Sequence, residues 1–320
     1  MARRSLWRRL RRATRGPRNA ALARAIMVLA RVFGLLPLRV GRAIGRAFGS
    51  AAYGLLGTPR RLALEHVGLA FPGLELADRR ALVRETFRHA GESFGELAAV
   101  RKILRLPGHV RMEGIEILRG GLTGGRGMIA ATGHCGNWEL LAAWAASAGL
   151  PITVVVRRVY DLRFHHLILR FRAAAGVEVL VRDDPRFVVA VGEALNRNRI
   201  VAMLIDQDIK GASVFVPFFG RPAHTPVGAA LLALRARVPL ATVFIEREPD
   251  GRHLARVAAV PTDVRRGREG VHELTARLTA AIEAQIRRVP AQWVWWHQRW
   301  RRQPEPTVPI TSSVSEHAIS

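Results

Sequence analysis

The strongest constraint on the fold is an alternation of short apolar runs with helix-length segments through the middle of the chain. Apolar runs of strand length lie at 127–131, 152–156, 178–181, 200–205 and 240–245. Segments of helical length lie at 162–175, 185–196 and 225–236. Such alternation is typical of βαβ units, in which helices cover the faces of a parallel sheet. We therefore predict an α/β fold with a largely parallel central sheet flanked by helices.

A histidine and a glutamate follow the first of these runs. His134 and Glu139 lie five positions apart in a glycine-flanked turn, and the next segment, 137–149, has the character of a helix. A neutral imidazole, with a reference pKa of about 6.5, can accept a proton from a hydroxyl near neutral pH. A nearby carboxylate can fix the tautomer of the ring. The pair thus suggests a general base at a strand-to-helix junction, although with 11 histidines in the chain the spacing can also arise by chance.

Polar residues also follow two other predicted strands. Arg157 and Arg158 come directly after the run 152–156, and an Asp-Gln-Asp cluster at 206–208 comes after the run 200–205. In open α/β sheets ligands bind beyond the carboxyl ends of the strands, so these groups could converge with His134 on one rim. Each also has an ordinary explanation, as a solvated arginine or as a turn or helix cap.

The segment Gly133–Glu139, with its His-x4-Glu spacing, resembles the motif of the bacterial lipid A late acyltransferases. These are the lauroyl and myristoyl transferases of the wider lysophospholipid acyltransferase superfamily. The resemblance extends over roughly residues 20–305, through ordered blocks at 61–72, 156–157, 172–176, 206–208, 214–220, 225–228 and 290–300.

This resemblance implies a glycerolipid acyltransferase-like fold and an O-acyltransferase activity. The enzyme would move a fatty acyl chain from acyl carrier protein to a hydroxyl of a lipid A precursor, at the cytoplasmic face of the inner membrane. His134 would be the general base and Glu139 its charge partner, and no metal or other cofactor is expected. Another acceptor, such as a phosphatidylinositol mannoside, a different glycolipid or an aminolipid, stays open, as does the acyl chain length.

Four further residues are candidates for substrate binding. Arg157 could bind a phosphate of the acceptor through its guanidinium. Asp206 could orient Arg157 or another cation, with a structural cap as the competing interpretation. Asn137 and Arg172 lie in the matching blocks and are expected to contact substrate. The backbone N–H groups near Gly136 and Asn137, at a helix N-terminus, are candidate donors to the reaction's oxyanion.

Other notable side chains are expected to be structural. Cys135 is the single cysteine, and its adjacent position to His134 on a turn does not favour a thiolate nucleophile. The aromatic pair Phe218–Phe219 is expected in the core. The tryptophan-rich segment 293–300 could either lie at the level of lipid headgroups or pack against the core.

The chain is strongly basic, with a formal net charge of +25. Such a charge would ordinarily suggest nucleic acid as a partner, but no nucleic-acid-binding motif is apparent. Lys102 and Lys210 are the only lysines among 50 basic residues, a bias that also fits a GC-rich genome. An anionic membrane surface and the acidic carrier protein explain the same excess, so no nucleic-acid partner is expected. A non-catalytic basic protein that binds membrane or nucleic acid remains a distant alternative.

The N-terminus suggests contact with a membrane. Residues 1–15 are basic, and residues 19–36 would form an apolar helix about 27 Å long. Arg24 and Arg31 interrupt the apolar run, which favours a helix lying in the interface over one that crosses. We divide the chain into a basic, membrane-associated segment at 1–45, an acyltransferase domain at 46–305 and a disordered tail at 306–320.

Overall fold

The computed structural model describes residue 28 and residues 32–158, 169–265 and 267–304. Within them, seven strands form a central sheet in the order β1-β9-β8-β2-β5-β3-β4. All neighbouring strands pair in parallel except β8 and β9. A separate antiparallel pair consists of β6 and β7. The predicted α/β fold with a largely parallel sheet is confirmed.

The strands are β1 (Val110–Glu113), β2 (Met128–Thr132), β3 (Ile152–Val156), β4 (Glu178–Val181), β5 (Ile200–Leu204), β6 (Ser213–Phe218), β7 (Arg221–Pro226), β8 (Leu240–Arg247) and β9 (His253–Val260). The helices are α1 (Leu38–Leu55), α2 (Gly57–Ala70), α3 (Leu76–Ala98), α4 (Val100–Ile103), α5 (Ile115–Leu122), α6 (Trp138–Ser147), α7 (Phe187–Asn196), α8 (Gly228–Ala236) and α9 (Arg268–Arg288), with a 3₁₀ turn at Pro290–Gln292. Residues 169–174 are also helical.

The apolar runs of the sequence became the central strands. β2 is buried at every position, as expected for a strand covered on both faces by helices. The sequence prediction missed β1, β6, β7 and β9, because these strands carry charged, histidine or proline residues that break an apolar run. The helix expected from residue 225 begins only at Gly228, since Thr225 and Pro226 complete β7.

Glycines bring the N-terminal helix α1 close to α3. An added Cβ on Gly45 or Gly49 would run into the backbone of α3, and one on Gly91 would run into that of α1. α3 also carries Glu92 and Glu96, which bond Arg247 at the end of β8.

Much of the predicted membrane-associated segment lies outside the described residues, as does the tail at 306–320. None of the described helices combines the length and the apolar character needed to cross a bilayer. The boundaries placed at residues 45 and 305 stay predictions.

Hydrophobic cores lie on the two sides of the sheet. One contains α8, α9 and the aromatic residues Phe218, Phe219, Trp293, Trp295 and Trp300. The other contains α5 and α6. The tryptophans of the first cluster pack in the interior, and the alternative that placed them at lipid headgroups is wrong.

Candidate active site

The strand order brings two polar residues together at one edge of the sheet. β2 pairs in parallel with β5, with Thr132 opposite Leu204. The residues that follow the two strands therefore meet, and these include His134 and Asp206. Between β2 and α6 the chain turns at Gly136, where φ is +58° and a Cβ would collide with the carbonyl oxygen of Ile245. Only glycine fits such a turn without strain.

His134 and Asp206 are hydrogen-bonded twice. The Nδ1 atom of His134 lies 2.7 Å from Oδ1 of Asp206, and the backbone N–H of His134 donates to Oδ2 at 2.7 Å. The indole N–H of Trp293 also donates to Oδ2, at 2.8 Å. Because a carboxylate only accepts, Nδ1 carries the proton and Nε2 presents a lone pair. His134 thus has the tautomer that a general base requires.

Asp206 is held ionised behind the imidazole. The residue is 1% exposed, and burial by itself would raise the pKa of its carboxyl group. Attraction to His134, its hydrogen bond, the nearby His297 and the indole donor outweigh burial and lower the pKa well below its ordinary value. A carboxylate ionised at neutral pH can stabilise the imidazolium that forms when His134 accepts a proton.

The expectation that Glu139 is the charge partner of His134 was wrong. Glu139 binds Arg172 instead, with Arg172 Nε 3.0 Å from Oε2 and Nη2 2.5 Å from Oε1. α6 begins at Trp138, so Glu139 lies in the first turn of a helix. The Nδ1 position of the imidazole is already occupied by Asp206. Glu139 nevertheless lies close to His134 in the chain path, because its neighbour Trp138 packs edge-on to the imidazole with ring centroids 4.9 Å apart.

Asp206 does not orient Arg157 either. Its two oxygens accept three hydrogen bonds from His134 and Trp293, which makes it a residue that positions His134 rather than one that binds substrate. Arg157 is exposed at the end of β3, two strands away from β2 in the sheet. The roles of Arg157 and Arg172 in substrate binding stay predictions.

Asn137 holds the first turn of α6. Its Oδ1 accepts a hydrogen bond from the backbone N–H of Leu140 at 3.1 Å, and its Nδ2 donates to Oε2 of Glu96 at 3.0 Å. The asparagine is 4% exposed. Its observed contacts are those of a helix cap, and a contact with substrate stays a prediction. The backbone N–H of Gly136, a candidate oxyanion donor, already donates to the carbonyl oxygen of Gln292 at 2.8 Å.

A buried ionic network supports this helix cap. Arg247 donates to both oxygens of Glu96 at 3.0 and 2.8 Å and to Glu92 at 2.9 Å. His253 adds a contact to Glu96 at 3.1 Å. Burial opposes ionisation of Glu96, but these partners lower the pKa of its carboxyl group well below the ordinary value. The strand β8, the helix α3 and the first turn of α6 are thereby tied together.

Two residues that the sequence did not single out lie on the other side of His134. Nε2 of Gln207 is 3.3 Å from Nε2 of His134 and 3.0 Å from Nε2 of His297. The rings of His134 and His297 are 4.8 Å apart and nearly perpendicular. Burial, followed by the charge of His134, lowers the pKa of His297 to about 4, so this ring is neutral near pH 7. Gln207 adjoins Asp206 in the sequence, but nothing in the spacing connects His297 to the site.

An apolar cavity opens beside the site, between α6 and the sheet. The cavity proper holds about 60 Å³, and about 690 Å³ when the open space at its mouth is counted. Trp138, Glu139 and Arg172 line one end. Its walls continue along β2, β3 and β5 to Ile200, at the opposite end of the strand from Leu204. Four residue steps at about 3.3 Å give a depth of about 13 Å.

The structure gives less support to a cysteine nucleophile or a bound metal ion than to His134 as a base. Cys135 is 2% exposed, and burial, with Asp206 nearby, raises the pKa of its thiol well above the ordinary value. A thiol that stays protonated is a poor nucleophile. Among the residues with described positions, no group of three or more His, Cys, Asp and Glu side chains is arranged to hold a metal ion.

Comparison with known proteins identifies the family of the chain. A family model described as bacterial lipid A biosynthesis acyltransferase matches residues 12–302. The chain belongs to this family. It is therefore an acyltransferase, and the family implies a lipid A-type substrate.

The similar proteins fall into two groups. The chain is 27% identical over 220 residues to a phosphatidylinositol mannoside acyltransferase of Mycolicibacterium smegmatis, covering 68% of each chain. It is 31% identical over 160 residues to the Mycobacterium tuberculosis protein of the same name, covering 49% of this chain and 48% of that one. It is 25% identical over 279 residues to the lipid A biosynthesis palmitoleoyltransferase of Escherichia coli, covering 84% and 87%.

Proposed function

We propose that this acyltransferase moves a fatty acyl chain from acyl carrier protein to a sugar hydroxyl of a lipid A precursor, with His134 as the general base. The observation that carries the proposal is the hydrogen-bonded pair His134–Asp206, next to Trp138, which also lines the apolar cavity. Asp206 fixes the protonated Nδ1, so Nε2 is the atom that takes the hydroxyl proton.

The reaction follows from this arrangement in two balanced steps. The acceptor's oxygen attacks the thioester carbonyl carbon and forms a C–O bond, while its proton passes to Nε2 of His134. The carbonyl electron pair moves onto oxygen and gives a tetrahedral oxyanion. When this intermediate collapses, the C–S bond breaks and the departing thiolate receives the proton from His134. Asp206 stabilises the imidazolium between the two steps.

The cavity beside α6 is suited to the acyl chain. Its walls are mainly aliphatic, from Leu141 near the mouth to Leu150 and Ile152 at depth. Near the mouth, the ion pair Glu139–Arg172 supplies the only charged groups among the described residues that line it. An apolar chain would fill the depth while the thioester stays near His134. Burial of the methylenes would contribute about 0.8 kcal/mol each to binding.

We propose the acidic carrier protein and an anionic membrane as partners from the net charge of the chain and from its exposed apolar side chains. The net charge of +25 favours both an acidic carrier protein and an anionic membrane surface. Phe48, Leu55 and Phe94 are exposed apolar side chains on α1 and α3, which pack together. Such side chains can enter the headgroup region of a bilayer. These features support our proposal that the enzyme works at a membrane surface, namely the cytoplasmic face of the inner membrane.

A second acceptor has a specific observation in its favour. The match to the Mycolicibacterium smegmatis protein, named a phosphatidylinositol mannoside acyltransferase, makes a mannose hydroxyl of such a glycolipid the alternative. Both acceptors offer a sugar hydroxyl and a phosphate, so the same base would serve either.

The test is acyl transfer by the detergent-solubilised full chain. Acyl carrier protein thioesters of several lengths are offered with a lipid A precursor or with a phosphatidylinositol mannoside. We expect product with wild type and almost none with His134→Ala. A matched control is His224→Ala, because His224 Nδ1 also binds a buried carboxylate, Asp208, at 3.0 Å, yet does not contact His134. Transfer that persists in His134→Ala would refute the mechanism, and product with the mannoside alone would reassign the acceptor.

A further inference from the structure

The carbonyl oxygen of the attacked thioester needs a hydrogen-bond donor, and several of the obvious donors in the turn after β2 are already engaged. The backbone N–H of His134 donates to Asp206, and that of Gly136 donates to Gln292. The side-chain amide of Asn137 donates to Glu96. The backbone N–H of Asn137 stays a candidate, and a side chain of the site can supply a further donor to the oxyanion.

The carboxamide of Gln207 is the polar group next to the reactive nitrogen. Its Nε2 lies 3.3 Å from Nε2 of His134, which carries the lone pair. An amide –NH₂ has two hydrogens, and the neutral ring of His297, whose Nδ1 and Nε2 lie 3.1 and 3.0 Å away, supplies a second acceptor through its unprotonated nitrogen. If the amide were rotated by 180°, its carbonyl oxygen would take the position of the –NH₂ group and would face the lone pair of His134. The two acceptors therefore fix the amide with its –NH₂ group toward the two rings.

The acceptor hydroxyl has to reach the same lone pair. When its oxygen takes the place beside Nε2 of His134, the N–H of Gln207 loses that acceptor. In the tetrahedral intermediate, the new oxyanion is attached to the carbon that bonds the attacking oxygen. A group already within 3.3 Å of Nε2 is thus within reach of the oxyanion, where donors stabilise the charge that develops.

We propose that Gln207 is a catalytic residue whose side-chain N–H donates to the oxyanion of the tetrahedral intermediate. The inference rests on the proposed function, since it assumes attack on a thioester with His134 as base. Gln207 holds no charge, so it stabilises the oxyanion without raising the cost of protonating His134. His297 positions the amide through the second N–H.

The experiment first removes the side-chain N–H donor of Gln207 and then replaces the carbonyl oxygen of the thioester, which is the acceptor atom. Gln207→Leu and Gln207→Glu keep the approximate shape of the side chain and remove its N–H groups. Gln298→Leu, at an exposed position beside His297, is the control. Each protein is assayed with the lauroyl thioester of acyl carrier protein and with the corresponding dithioester, in which sulfur replaces the carbonyl oxygen and accepts hydrogen bonds poorly.

We expect kcat to fall by about 10²–10³ in both Gln207 variants, with KM for both substrates changed little. The rate ratio of thioester to dithioester should fall by a similar factor, because the variants lack the side-chain donor that distinguishes oxygen from sulfur. A kcat close to that of wild type would overturn the proposal. A reduced kcat with an unchanged ratio would also overturn it, since Gln207 would then only position His134.

No transfer by wild type to either acceptor would defeat the proposed function, and this inference with it. Transfer that depends on His134 but not on Gln207 would defeat the inference alone.

Discussion

Oδ1 of Asp206 accepts the Nδ1 proton of His134 at 2.7 Å, while Oδ2 accepts the backbone N–H of the same histidine at 2.7 Å. The carboxylate therefore controls both the orientation of the ring and its tautomer. The two residues are 72 positions apart in the chain.

Asp206→Asn tests this relationship directly. In the variant, the side-chain –NH₂ group of asparagine would replace one carboxylate oxygen. It would then face another donor, either Nδ1–H of His134 or the donors that now bind Oδ2, and the imidazolium would lose its counter-charge. We expect kcat to fall by about 10³–10⁴, as for comparable substitutions in other catalytic pairs. The measurement is the steady-state rate of acyl transfer, with folding checked by circular dichroism. Asp208→Asn is the matched control, because Asp208 binds His224 instead, and loss of activity in both variants would count against a specific role for Asp206.

Ala142→Leu should shorten the acyl chain that the enzyme prefers. Ala142 lines the apolar cavity one helical turn beyond Trp138, so a larger side chain there would block its depth. We expect the kcat/KM ratio of long to short acyl donors to fall by 10-fold or more, since the loss of a few buried methylenes is worth about 1–3 kcal/mol. Competition between donors of different length measures it. Ala146→Leu, one turn further along α6 and outside the cavity lining, should leave the preference unchanged. An unaltered preference in Ala142→Leu would place the acyl chain elsewhere.

Arg247→Ala should destabilise the fold. The substitution removes the interior guanidinium that Glu96 and Glu92 share. Breaking a buried ion pair costs about 3–5 kcal/mol, and we expect the lower end because Arg42 still bonds Glu96 and Arg46 still bonds Glu92. Urea unfolding followed by tryptophan fluorescence measures the free energy of unfolding. Arg111→Ala removes an exposed ion pair with Glu248 and should cost at most about 1 kcal/mol. Equal losses in the two variants would mean that the buried network contributes no more than a surface pair.

Acidification should destabilise the protein through His297. The pKa of this ring is about 4 in the folded state, against 6.5 in the absence of its surroundings. Between these values the unfolded chain binds a proton that the folded chain does not, so the free energy of unfolding falls as the pH falls from about 6.5 to about 4. The whole effect is roughly 3 kcal/mol, at about 1.4 kcal/mol per pKa unit. The carboxyl groups of Asp206 and Glu96, whose pKa values are lowered, add their own losses at still lower pH.

His297→Gln removes this titration and keeps a polar side chain. Thermal unfolding near pH 7 and near pH 5 should therefore show a smaller drop in Tm for the variant than for wild type. A drop of the same size in both proteins would mean that His297 does not remain neutral in the folded state.

The sequence by itself determined the fold class and much of the site's chemical content. The apolar runs at 152–156 and 200–204 became β3 and β5, because strands inside a parallel sheet are largely buried, and the run at 178–181 became the half-buried edge strand β4. The glycine-flanked turn after β2 was also correctly placed. Strands without an apolar run, such as β9, could not be recognised, since their burial depends on neighbours that the sequence does not reveal.

Only the tertiary structure decided which side chains meet. A sequence spacing of five suggested Glu139 as the partner of His134, but the start of α6 at Trp138 leaves Glu139 paired with Arg172. The partner is Asp206, because the sheet places β5 directly beside β2, with β3 beyond it. Distances between residues far apart in the chain depend on strand order and helix packing. That is why the sequence could place His134 and Asp206 on one rim, while only the fold showed that Asp206 is the carboxylate that orients the imidazole.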